Sequence, residues 1–276
     1  MISELHKFEF YKCKGLLHEQ GQIEAKAVIE GINPGRVFVD DIGSPTAGLI
    51  WLGNNDGFFF IGNENNDEFN NELNYFIDKV IMPEAKKVSL DYFEGIGDHQ
   101  KWDLTIKKLF EHRKLESWKQ RVYLLQKEDY RSNYESDIEQ GYEVVKICNN
   151  FLENRENSIK NIEFLHSKIM EFWSSIENFL NDGIGYCIVY ESEIVSICFS
   201  GFVVGNVHCI GIETFEEHRG KKLAKKLAHR FVKDCLENDS VPYWDCMESN
   251  KPSIAVAENI GFKNVSNYKG YYFPFE

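Results

Sequence analysis

The sequence predicts an α/β (α+β) protein of two domains, the first spanning residues 1–130 and the second 131–276. Three observations carry that expectation. Short runs of β-branched and aromatic residues are bounded by Gly, Pro, Asn and Asp, the pattern of strands. Longer segments between them place apolar residues at helical spacing. Gln126 to Asp137 is polar, charged and without apolar periodicity, which puts a boundary between two halves of ordinary domain length.

In chain order, Arg36–Asp40, Gly48–Leu52 and Gly57–Gly62 read as strands. Glu68 to Lys87 reads as a helix, because Phe69, Leu73, Phe76, Ile77, Val80 and Ile81 recur on one face. A strand at Val88–Tyr92, a helix at Lys101–His112 and a strand at Arg121–Leu125 complete the first half. Nothing in that half resembles a nucleotide loop or a catalytic cluster. The second half opens on a strand at Gly141–Cys148, followed by two or three short helices over residues 150–180. Gly185–Tyr190 and Ile194–Phe199 flank Glu191-Ser192-Glu193, a hairpin signal, and Val207–Thr214 is a further strand. From Lys222 to Leu236 a helix buries Leu223, Leu227, Ala228, Phe231, Val232 and Cys235. A strand at Tyr243–Cys246, a helix at Ser253–Asn259 ended by Gly261, and a strand pair around Phe262–Phe273 close the chain. The halves share a strand-and-helix order.

The composition bounds function loosely. The 276 residues are 43% hydrophobic and 14% aromatic, enough for packed cores. The formal charge of −13, from 44 acidic against 31 basic residues, disfavours a nucleic-acid binder and favours a cationic or amine-bearing small partner. The chain start lacks a basic-then-apolar leader, and no apolar run approaches the roughly 18 residues that span a bilayer. The expectation is a cytoplasmic protein with no membrane partner. Seven cysteines are scattered, with no C-x-x-C pair, so no metal is expected, and the thiols read as small buried hydrophobes.

The informative segment is Ile210 to Ala224, where an apolar strand runs through a polar turn into an amphipathic helix. First-turn amides of a helix lack internal partners and carry partial positive charge. Gly220 lets the backbone approach a ligand, and Arg219, Lys221 and Lys222 add charge, so a phosphate or pyrophosphate is the expected ligand. The alternative is a solvated face, but basic residues at a helix start oppose the dipole by up to about 1 kcal/mol, and a chain selected only for stability would more often place acids or a Ser, Thr or Asp cap there. The G-x-x-x-x-G-K-S/T loop of nucleotide hydrolases is absent.

These residues resemble the pyrophosphate loop of the GNAT N-acetyltransferases, R/Q-x-x-G-x-G/A: Arg219 takes the first position, Leu223 the apolar one and Ala224 the last. Lys222 replaces the middle glycine. Asn250, Ser253, Ala257 and Gly261-Phe262 are similar to the family's N-x-x-A-x-x-x-Y-x-x-x-G-F segment, with Ser253 for the alanine and Ala257 for the tyrosine that many members use as general acid. The resemblance covers about residues 141–276 and is nearest to the zwittermicin-resistance-type subgroup, in which an amino-terminal domain precedes the transferase. It implies a GNAT-like mixed, mostly antiparallel sheet flanked by helices, with a smaller α/β N-terminal domain. That domain is expected to be a degenerate copy shaping the acceptor site or a dimer surface, which leaves a homodimer open.

The resemblance further implies direct acetyl transfer from acetyl-CoA to an amine, with no covalent enzyme intermediate. Ile212 and Thr214 would pair with the pantetheine arm, Arg219, Gly220, Lys221, Lys222, Leu223 and Ala224 would hold the pyrophosphate, and Asn250 would contact the arm from the other side. The base that deprotonates the amine is expected to be His208, eleven residues before Arg219, or Glu213 on the other strand face. The bland alternatives are a satisfied core histidine and a surface carboxylate. Tyr268, Tyr271 and Tyr272 are the candidates for the acid, against a simple role in aromatic packing. Cys246, in Trp244-Asp245-Cys246, reads as a buried strand residue rather than a nucleophile. A small-molecule amine is the expected acceptor. A protein acetyltransferase, and an acyl-CoA-binding module without catalysis, are the competing expectations.

Overall fold

The computed structural model describes residues 1–55, 57–155 and 159–275. The chain forms two compact units, Met1–Gln120 together with Tyr268–Glu276, and Arg121–Asn267. Each holds a mixed, mostly antiparallel sheet flanked by helices, the α/β class that the sequence predicts.

The first unit begins with β1 (Ser3–Glu4), a 3-10 segment (Lys7–Leu16) and α1 (Ile23–Glu30), then β2 (Gly35–Val39), β3 (Ala47–Leu52) and β4 (Phe58–Gly62). These four strands pair antiparallel in sequence order. α2 (Asp67–Phe76) continues through a π turn (Ile77–Ile81) into α3 (Met82–Lys87). The single helix expected from Glu68 to Lys87 is therefore broken once. Pro83, in the first turn of α3, lacks the N–H that an unbroken ladder would need, and the π turn absorbs the mismatch.

β5 (Tyr92–Gly97) pairs parallel with β4, and α4 (Trp102–Leu109) follows it. The sequence placed that strand at Val88–Tyr92, too early. Val88 caps α3 and Ser89 sits at φ 61°, while the side chains that bury are Phe93 and Ile96. The core centres on Phe93, whose ring stacks on Phe58 at 4.5 Å and on Phe273 at 5.0 Å.

β6 (Glu116–Leu124) carries the chain into the second unit, where β7 (Tyr142–Lys146), α5 (Asn149–Arg155), α6 (Ile162–Phe172) and α7 (Ile176–Asp182) precede β8 (Gly185–Tyr190) and β9 (Glu193–Val204). Of the expected helical stretch, residues 156–158 lie outside the described residues. β10 (Val207–Thr214), α8 (Leu223–Glu237), β11 (Val241–Met247), α9 (Lys251–Ile260) and β12 (Lys263–Pro274) follow, and the strands lie in the order β6-β11-β10-β9-β8-β7. The β8–β9 turn uses Glu191 and Ser192 at φ 49° and 63°, the doubly left-handed geometry that matches hairpin twist. The polar stretch 126–137 forms two 3-10 turns here, held by an Arg131 N–H donating to Ile260 O at 2.9 Å and a Lys263–Asp129 ion pair.

The expected terminal strand pair is a single strand, β12. Its last residues, Gly270–Pro274, pair antiparallel with Tyr92–Ile96 of β5 in the first unit. Both units repeat one order: three antiparallel strands, a helix, a parallel strand and a helix.

Candidate active site

β10 and β11 pair in parallel over only Val207–Cys209 and Val241–Tyr243. Past that register an open cleft of about 810 Å³ lies between the end of β10, the start of α8 and one side of α9. That volume falls in the range of small-molecule sites.

β10 brings Ile212, Glu213 and Thr214 to the cleft. Its end is pinned by Ser196, whose hydroxyl donates to Glu213 O at 3.0 Å and lies 2.7 Å from Thr214 Oγ1. Past it, a 3-10 turn (Glu216–His218) leads into α8. α8 is fixed to the sheet by Leu223, Leu227, Phe231 and Val232, all buried, each contributing roughly 1.5–3 kcal/mol.

The N-terminus of α8 is open to an anion. Its N-cap residue is Lys222, no side chain caps it, and no acid stands in its first turn. His218, Arg219, Gly220, Lys222, Leu223, Ala224 and Lys225 all line the cleft there. Arg219 Nε donates to Thr214 O at 3.1 Å, closing the turn. Gly220 sits at φ 80° with open space where a Cβ would stand. Lys222 adopts φ 64° and ψ 15°, in the left-handed region that favours glycine. A non-glycine residue there costs about 1 kcal/mol.

Lys221 is spent elsewhere. Its Nζ donates to Tyr142 Oη at 2.7 Å, a bond that raises the lysine's pKa, and it is not among the cleft-lining residues. Tyr142 also holds His218, with 2.9 Å between Oη and Nδ1. On the far side Asn250 caps α9, its Oδ1 accepting from the Ser253 N–H at 3.1 Å.

The two candidate bases separate. Glu213 lines the cleft and faces Lys168 of α6 at 3.5 Å. Burial would lower the Lys168 pKa, but its bonds with Glu171 and Glu213 outweigh burial and raise it. His208 is buried, with Nδ1 3.0 Å from Ser200 Oγ, and does not line the cleft. Burial lowers its pKa against the opposing pull of Asp234 on α8. Thr214 lies six positions further along the strand, about 20 Å of extended chain.

Tyr268, Tyr271 and Tyr272 belong to the first unit. Tyr271 is buried in its core, and Tyr272 donates to Glu116 at 2.6 Å. Ala257 is buried in the second unit's core. Cys246 is buried too, and burial raises its thiol pKa. Among the described residues no group of His, Cys, Asp and Glu could hold a metal ion, and no helix is long and apolar enough to cross a membrane.

Sequence reasoning missed one wall. Pro252, Val256 and Asn259 line the cleft from α9, and Trp244 reaches it from β11. The α9 residues form a stripe at helical spacing beside the buried Ile254, Ala257 and Ile260, a signal legible only once the helix has two occupied faces.

The sequence pattern of the GNAT acetyltransferase family matches residues 14–271 and so takes in both units. Among curated proteins the chain is similar to the uncharacterised N-acetyltransferase YdfB of Bacillus subtilis, with 27% identity over 247 residues, 89% of this chain and 88% of the relative. Among solved structures it resembles a GCN5-related N-acetyltransferase-like protein from Streptococcus suis, with a TM-score of 0.70 at 20% identity over 96% of this chain and 98% of that one. It also resembles a tandem GNAT protein from the clavulanic acid biosynthesis pathway, with a TM-score of 0.59 at 10% identity over 100% and 99% of the two chains.

Proposed function

Because the chain belongs to the GNAT acetyltransferase family, we propose that it moves an acetyl group from acetyl-CoA directly to a primary amine of a small molecule. One observation carries the reading: the cleft where β10 and β11 part ends on an uncapped helix N-terminus ringed by Arg219, Lys222 and Lys225. Peptide amides and cations of that arrangement suit a pyrophosphate. The parted edge of β10 at Ile212–Thr214 leaves backbone groups for the amides of a pantetheine arm, as an added strand would use them.

The protein's work in this reading is mostly positioning, worth several kcal/mol of the barrier. Glu213 is the cleft carboxylate suited to hold an ammonium and take up its proton. His208, buried on Ser200, would act only through a relay, so we place Glu213 ahead of it. The overall acidity, at −13, and the resemblance to the zwittermicin-resistance-type subgroup support an aminated small acceptor rather than a protein. A cytosolic setting goes with this donor.

We read the first unit as a second half of the same order that does not hold the donor. Its parallel pair runs to Gly97, the last residue of β5, and a Cβ there would lie 2.2 Å from Trp102 Cβ. Its α2 start is capped by Asn66, which accepts from the Phe69 N–H, and carries Asp67 and Glu68 where α8 carries cations.

The strained Lys222 and the missing phenol at Ala257 favour one second reading, an acyl-CoA binder without turnover. Thermal unfolding with acetyl-CoA separates the readings. At about a hundred times Kd the ligand stabilises by roughly 2.7 kcal/mol. We expect a Tm rise of several degrees, lost in Arg219→Glu, and thiol release when an amine panel is added. No rise in the wild-type protein would overturn the donor site; a rise without thiol release from any amine would favour the binder.

A further inference from the structure

We infer that Ser253, oriented by Trp244, gives the hydrogen bond that stabilises the departing thiolate of CoA. The inference rests on the proposed acetyl-CoA site.

Ser253 stands in the first turn of α9 and lines the cleft. Trp244, buried and packed edge-on against Phe262, donates its indole N–H to Ser253 Oγ at 3.0 Å. A hydroxyl whose oxygen already accepts still has its hydrogen to give. That hydrogen is available to a charged sulfur in the cleft, which makes a stronger acceptor than a neutral one. The positive end of α9 adds to the same stabilisation.

The site also needs such a donor. Ala257 has no polar group and is fully buried between Ile254 and Ile260 on the core side of α9. Ser253 lies four residues earlier on that helix, one turn nearer its N-terminus. Serine is a far weaker acid than a thiol, so it keeps its proton and acts as a donor only. In the transfer the amine nitrogen bonds to the thioester carbon, and the C–S bond breaks with its electron pair on sulfur. The ammonium's two lost protons go one to base and solvent and one, through water, to the thiolate, giving amide and thiol.

The direct readout is the thiol pKa of bound CoA, followed by thiolate absorbance against pH in the wild-type protein, Ser253→Ala and Ser253→Thr. We expect wild type to hold that pKa below the value for free CoA. Ser253→Ala should raise it by about one unit, equivalent to a tenfold change, with CoA affinity little altered, and Ser253→Thr should restore it. With an accepted amine, kcat should fall about tenfold to a hundredfold in Ser253→Ala while KM for acetyl-CoA holds. Normal CoA binding with the same bound-thiol pKa in wild type and Ser253→Ala overturns this inference alone. Failure of the wild-type protein to bind CoA overturns the donor site as well, and is seen before any titration.

Discussion

Lys222 concentrates two opposed effects in one residue. Its left-handed backbone costs stability, and its ammonium lies where an anion is expected. Lys222→Gly should therefore stabilise the protein by up to about 1 kcal/mol, a Tm gain of a few degrees, because glycine adopts that φ freely. The same change should weaken acetyl-CoA binding most at low salt, where charge is least screened. Calorimetric titration at two salt concentrations checks both halves. Histidines make a second residue-scale case. Burial lowers His208, and it pushes His229 down to about 4 against the opposing charge of Glu135. The unfolded chain protonates near 6.5, so folded-state stability is complete above that pH and falls as pH drops from about 6.5 toward about 4. His229→Gln should flatten that acid limb in a denaturant series, and an unchanged slope would refute the assignment.

At the scale of elements, helix starts divide by task. α9 is capped by Asn250, and Asn250→Ala should cost about 1 kcal/mol in unfolding free energy while also loosening the cleft wall. α8 is left uncapped, and cations at an N-terminus are anomalous for stability, which makes residues 219–224 stand out in the sequence. The β8–β9 hairpin was equally plain from its polar turn. Other elements were not legible. The strand after α3 lies later than its β-branched residues suggest, because Gly95 and Gly97 dilute the pattern and only packing around Phe93 selects the register. Alternation put His208 on a face with Ile210 and Ile212, but could not say that α8 covers that face at one end and a cleft opens at the other. The bond from Lys221 to Tyr142, 79 residues away in sequence, is likewise a contact no local pattern shows.

For the molecule as a whole, the two units differ in which parallel strand pair stays shut. The first unit keeps its pair filled with aromatic side chains, and the second parts its pair to make the cleft. The first unit also takes its last strand segment from Tyr268–Glu276. Removing residues 268–276 should strip β5 of its antiparallel neighbour and expose Phe93, so hydrogen exchange should rise across Phe58–Gly97. Equal protection in the truncated and intact proteins would count against that dependence. Domains generally fold as they leave the ribosome, the first-made one first. Here the unit begun first cannot be finished until residues 268–274 have been translated. A nascent chain therefore carries a β5 edge without its antiparallel neighbour throughout synthesis of residues 121–267.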